Sequence, residues 1–293
     1  MQTKKTLILF LLGAAMTAIA ACGDNKESGT ADSYEYTDDY GNTVNVPKEP
    51  SRIVSLSPAV TEIIFALDAD TLLVGRTEFC KYPPEASNIE NIGGISNMNV
   101  EKVLSLNPDL IISGSMIPRR VVEKIESMGV PMVCVIEKQH FSALFDNISA
   151  IGKLIGREQK ADSLNKTLID RMGRLDTTAV DRKSVYYVVG YGSGGNFTAG
   201  GNTFINDIIR MAGGTNVASK SEGWTFSVEA LMDANPDYIL IRKEDSADFC
   251  RTSPYNRLSA VKEGRLVALE DGILDLQVPR NIEAIARLRE IMH

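Results

Sequence analysis

Two glutamates stand at matched places in the two halves of this 293-residue chain. Glu101 lies in Asn99-Val100-Glu101 and is followed by Asn107-Pro108-Asp109-Leu110-Ile111-Ile112. Glu229 lies in Ser227-Val228-Glu229 and is followed by Asn235-Pro236-Asp237-Tyr238-Ile239-Leu240-Ile241. Both Glu229 and Asp237 fall 128 residues after their counterparts, so one unit is used once per half. Asn99 and Ser227 are good helix N-caps, and a carboxylate in the first turn is favoured by the helix dipole. Either glutamate alone reads as a dipole complement. Their matched placement argues that each is displayed for a purpose.

Other chemistry is sparse. His140 and His293 are the only histidines, and His293 is the last residue, so no Ser/His/Asp triad or histidine metal site can be assembled and no enzyme is expected. Gly190 to Gly195 follows a strand-like run but lacks the Gly-Lys-Ser/Thr ending of a phosphate loop. Its glycines suit close approach of the backbone to a ligand. No basic patch with interleaved aromatics is present, and the net charge of −7 argues against nucleic acid.

Compartment follows from the first residues. Lys4 and Lys5 precede an apolar core, Leu7 to Leu12, and small residues lead to Ile19-Ala20-Ala21-Cys22. This is a secretory signal whose end resembles a bacterial lipobox, with Cys22 lipidated as the first mature residue. Loss of the two lysines takes the net charge to −9. Of the remaining cysteines, Cys134 sits in the apolar run Met132 to Ile136 and is expected in the core. Cys80 and Cys250 occupy polar, loop-like contexts, and an exported chain favours disulfides, so they form a candidate bridge between the halves.

The elements that must hold these residues alternate. Residues 36–47 read as a hairpin turning near Tyr40-Gly41-Asn42, and Arg52 to Leu56 as the first core strand. Ser57-Pro58 opens a helix. Short apolar runs at Leu72 to Gly75, Leu110 to Ser113, Val130 to Ile136, Ser184 to Val189, Tyr238 to Ile241 and Arg265 to Leu269 alternate with helical patterns, which implies parallel sheets covered on both faces. Apolar residues from Leu144 to Met172 recur every three or four positions without a proline, which predicts one long helix, kinked at most near Gly152 or Gly156, of roughly 45 Å. The expected fold is α/β, with two mostly parallel sheets flanked by helices and joined by that helix. The divisions are a signal peptide (1–21), a lipidated start and tether (22–33), an N-terminal lobe (34–141), a linking helix (142–178) and a C-terminal lobe (179–293).

Arg52 to Glu62, Tyr82-Pro83-Pro84, the Met98 to Leu110 block, Phe197-Thr198-Ala199-Gly200-Gly201 and Ala212 to Asn216 together resemble the helical-backbone substrate-binding proteins of ABC importers, cobalamin-binding members above all. The resemblance runs from about residue 34 to the end. It implies a monomer without a cofactor of its own that holds cobalamin, a ferric siderophore or haem between its lobes. Glu101 and Glu229 would then pair with a dimeric permease, a two-point electrostatic contact that steers and orients docking. Ligand positions fall by resemblance on Phe79, Tyr82, Ser96, Asn97, Phe197, Trp224 and Arg280. Core packing is the competing reading for Phe79 and Phe197. Ile95 and Gly114 stand where cobalamin-binding relatives carry aromatic rings.

Overall fold

A computed structural model describes residues 33–95, 97–114, 117–175 and 181–293. The signal peptide, Cys22, most of the tether, Ser96 and the last residues of the expected linking helix lie outside the described residues. The chain opens with an antiparallel hairpin, β1 (Ser33–Thr37) and β2 (Thr43–Pro47). Asp38 closes its turn by accepting from the amides of Tyr40 and Asn42 at 3.0 and 2.8 Å.

The first lobe is a four-stranded sheet of β3 (Ile53–Ser55), β4 (Leu73–Arg76), β5 (Leu110–Ser113) and β6 (Met132–Cys134), parallel throughout in the order β4-β3-β5-β6. Its helices are α1 (Pro58–Ala66), α2 (Val100–Ser105) and α3 (Arg119–Glu126). The second lobe repeats that order with β7 (Ser184–Val188), β8 (Thr215–Asn216), β9 (Tyr238–Arg242) and β10 (Leu266–Leu269), arranged β8-β7-β9-β10 and again parallel. Around it lie α6 (Phe204–Met211), α7 (Val228–Ala234), α8 (Lys243–Phe249), α9 (Ser259–Lys262) and α10 (Asn281–Met292).

The repeated motif does the same work in each lobe. Asn99 and Ser227 cap α2 and α7, accepting from the amides of Lys102 and Ala230 at 3.0 Å. Both helices stop at an asparagine in the left-handed region, Asn107 at φ 45° and Asn235 at φ 37°, so the turn is made by a residue that tolerates αL just before proline. The aspartate then clamps the start of the lobe's first strand. Asp109 accepts from the Ser51 amide and hydroxyl, both at 2.8 Å, and Asp237 from those of Ser184 at 2.8 and 2.7 Å. The Ser184 hydrogen bonds hold the Asp237 carboxyl below its ordinary pKa.

The single linking helix is replaced by two, α4 (Ala143–Leu154) and α5 (Glu158–Gly173), lying antiparallel. Gly156 adopts φ 66° just beyond α4, the left-handed position that ends a helix and that glycine takes at least cost. The Asn165 amide returns to the Phe145 carbonyl at 3.0 Å and the Ser149 hydroxyl at 2.9 Å, so α5 doubles back along α4. About 16 residues at 1.5 Å each make α5 roughly 24 Å long, not 45 Å. One continuous core joins the lobes through this pair: Ile63 of α1, Ile148 and Ile151 of α4, Leu168 of α5 and Ile285 of α10 belong to it.

The Cys80 to Cys250 bridge is not formed. Both thiols are free: Cys80 is fully buried in the first lobe, 3.2 Å from the Thr77 hydroxyl, and Cys250 is partly exposed at the end of α8. Burial pushes the Cys80 thiol pKa up. Cys134 is buried in β6, as its apolar run suggested.

Candidate functional site between the lobes

In open parallel sheets the carboxyl ends of the strands are where ligands collect. Here the segments after β3, β4, β9 and β10 meet across the lobes and enclose a cavity of about 530 Å³. After β3, Ser57 caps α1 and the Thr61 hydroxyl ties back to Ser55 at 2.9 Å. Gly114, at the end of β5, lies so near this turn that a Cβ would fall 2.9 Å from the Ser57 hydroxyl. Any side chain at this position would crowd Ser57.

The segment after β4 supplies the aromatic faces. Arg76 is buried, and its guanidinium donates to the carbonyls of Ala86 at 2.9 Å and Thr77 at 3.0 Å, fastening the loop that bears Phe79 and Tyr82. Those two rings line the cavity and are 52% and 45% exposed, so Phe79 is not a core residue. Asn97 stands beside this loop, accepting from the Gly94 amide at 2.9 Å.

Arg280, at the start of α10, forms the opposite wall. It donates from Nε and Nη2 to the two carboxylate oxygens of Glu62 on α1, at 2.7 and 2.8 Å, and its guanidinium lies 4.3 Å from the centre of the Tyr82 ring. The side chains of Glu62 and Arg280 are 4% and 10% exposed. Burial raises the Glu62 pKa, while the hydrogen bonds and charge of Arg280 work against the rise. A second tie crosses nearby: Gln277, buried, donates to the carbonyl of His140 at 3.0 Å and accepts from the Asn147 amide at 3.5 Å. His140 itself is exposed and shares a 3.0 Å hydrogen bond with the Ser142 hydroxyl. Asp275 accepts from the buried Tyr187 hydroxyl at 2.5 Å.

Three of the residues expected from the sequence, Phe79, Tyr82 and Arg280, thus line one cavity. Phe197 and Trp224 do not line it. They lie on adjoining segments of the C-terminal lobe, where Phe197 bridges to Gly190 and Thr225 and the Thr198 amide donates to the Trp224 carbonyl at 2.9 Å. Their exposures of 36% and 38% leave both rings accessible. Glu62 was missed by sequence reasoning. Its position in the first helix after β3, within an otherwise buried apolar stripe, was the available signal. Among the described residues no group of three or more His, Cys, Asp or Glu is arranged to hold a metal.

Glu101 and Glu229 are exposed in the first turns of α2 and α7, and neither carboxylate pairs with a cation among the described residues. None of the described helices is long and apolar enough to cross a membrane.

Residues 53–272 match the family model described as periplasmic binding protein. The chain is 31% identical over 300 residues to an uncharacterized ABC transporter substrate-binding lipoprotein, YvrC, of Bacillus subtilis, covering 97% of this chain and 95% of that protein. It is 27% identical to a cobalamin-binding protein of Halobacterium salinarum over 98% of this chain and 84% of the relative. Among solved structures it resembles the periplasmic heme-binding protein RhuT of Roseiflexus sp. RS-1, at a TM-score of 0.75 and 26% identity over 83% of this chain and 97% of that one. The two repeated parallel sheets, the helix pair joining them and these likenesses make the chain a member of the periplasmic binding protein family, the helical-backbone class of substrate-binding proteins of ABC importers.

Proposed function

We propose that this protein is an exported receptor, lipidated on Cys22, that takes a corrinoid between its lobes and delivers it to an ABC permease dimer. The observation that carries the ligand reading is the inter-lobe cavity walled by the half-exposed rings of Phe79 and Tyr82, with hydrogen-bonding groups around them. Large planar chelates bind through such faces, since buried aromatic area supplies affinity and a few placed polar groups supply orientation. The likeness to a cobalamin-binding protein supports the same choice. The docking reading rests on Glu101 and Glu229, two unpaired carboxylates on side-chain-capped helices of the two equivalent lobes.

A haem or ferric-chelate ligand is the second reading. The exposed Tyr82 phenol is an oxygen donor of the kind that can hold ferric haem, and RhuT is named for haem binding. Calorimetric titration of the purified protein with cyanocobalamin, haemin and a ferric siderophore decides between them. One-to-one cobalamin binding at micromolar concentration or tighter supports the corrinoid, binding of either parallel moves the function to iron or haem, and binding of none refutes both. Reversing Glu101 and Glu229 to lysine should abolish uptake while leaving ligand affinity unchanged. Uptake that survives the reversal refutes the docking role, and uptake that is unchanged when the protein is absent favours a surface scavenger without a permease.

A further inference from the structure

The cavity is rich in charge, yet its arginines are already committed. Arg280 is held bidentately by Glu62, and Lys81 lies 3.8 Å from Asp271. Arg242 lies 3.1 Å from Asp245 and also donates to the Val189 carbonyl at 3.2 Å. Two lining carboxylates, Glu270 and Asp275, form no ion pair among the described residues. The cavity therefore presents net negative charge to whatever enters.

Arg280 decides the matter because it is the cation best shaped to take an anion. A guanidinium binds carboxylate or phosphate along the edge that offers two parallel N–H donors. Here the Nε/Nη2 edge is filled by Glu62, Nη2 also donates to the Asp271 carbonyl at 3.0 Å, and Tyr82 lies against the guanidinium. An anionic ligand seeking that two-point edge would have to displace a carboxylate that is 4% exposed and bonded through both oxygens. A neutral ligand with amide donors meets no such competition, and Glu270 and Asp275 offer it acceptors.

We propose that Glu62 is a charge-selecting residue of this cleft: by occupying Arg280 it turns away anionic chelates and leaves the cavity to neutral, donor-rich ones. This rests on the chelate-binding reading above and goes beyond it by naming the residue that sets ligand charge. Removing the carboxylate while keeping the side chain's shape, as in Glu62→Gln, leaves the guanidinium without its charge partner and makes it an anion receptor.

The test is calorimetric titration of the wild-type protein, E62Q, E62D and E62Q/R280Q with cyanocobalamin and with haemin, whose two propionates make it the anionic probe. Thermal unfolding of each variant establishes that it is folded. Wild-type protein should favour cyanocobalamin over haemin by at least a hundredfold, and E62Q should gain at least tenfold in haemin affinity. E62D, which keeps the charge, should retain the discrimination, and E62Q/R280Q should lose the gain. Equal wild-type affinity for the two probes overturns the proposal, as does an E62Q variant with no gain or a gain that persists without Arg280. If wild-type protein binds neither probe, the chelate reading fails. The role of Glu62 is then still decided by whether E62Q acquires haemin binding that E62Q/R280Q lacks.

Discussion

Replacing Arg280 with methionine should cost this protein a large part of its stability, and more at alkaline than at acid pH. The guanidinium makes two short bonds, 2.7 and 2.8 Å, to a carboxylate whose side chain is 4% exposed. Removing one partner of such a pair leaves the other charge buried and uncompensated, at a cost of about 3–5 kcal/mol. The contact with Tyr82 adds about 0.5–1 kcal/mol. Glu62 can escape part of the penalty by taking up a proton. Its pKa is already raised above the ordinary 4.5 by burial, and loss of Arg280 removes the influences that lower it. A carboxyl whose folded pKa is raised contributes its stability fully below the unfolded value and loses it as pH rises through the folded one. The penalty in R280M is therefore smallest below the ordinary carboxyl pKa and grows as pH rises through the raised folded value. Urea denaturation followed by circular dichroism at pH 5 and pH 8 measures both values. The double variant E62M/R280M, an apolar pair of similar volume, should recover most of the loss. A cost below about 1 kcal/mol at pH 8 refutes the argument, as does a double variant no more stable than R280M.

Two further outcomes follow from burial. Glu137, half-buried near Glu62 and Asp275, has its pKa pushed up to about 7, first by burial and then by those carboxylates, against the pull of a hydrogen bond from Gln277. Its folded pKa being raised, its stabilising contribution is complete below about 4.5 and is lost as pH rises through about 7, so Glu137→Gln should flatten the stability profile across that interval. An unchanged profile places the Glu137 pKa elsewhere. Thiol chemistry tests the absence of a bridge: in protein lacking Cys22, a bulky aromatic disulfide reagent should modify the partly exposed Cys250, leave buried Cys80 and Cys134 unmodified, and find no target after Cys250→Ser.

The repeated unit was legible because each of its parts acts locally. Capping by Asn99 and Ser227, the stop at Asn-Pro-Asp, and the apolar runs of β5 and β9 depend on neighbours a few residues away. They carry into structure with little change, and the doubled topology follows from them. Phe79, Tyr82 and Arg280 were also reachable from the sequence, through resemblance to a family whose motifs lie in the same order.

What the sequence left open depends on which distant segments meet. A glycine inside an apolar periodic run reads equally as a kink or a stop, and only the return packing of α5 on α4 makes Gly156 a turn. Two cysteines in polar loops look alike in sequence, and the fold buries one and leaves the other at a helix end. Glu62 reads as one polar position on an apolar helix. It gains its partner 218 residues away only when α10 is brought against the first lobe, so the charge of the cleft was set by tertiary structure. Local propensity acts over a turn or two of helix, whereas the pairing of a buried charge is decided by packing across the whole chain.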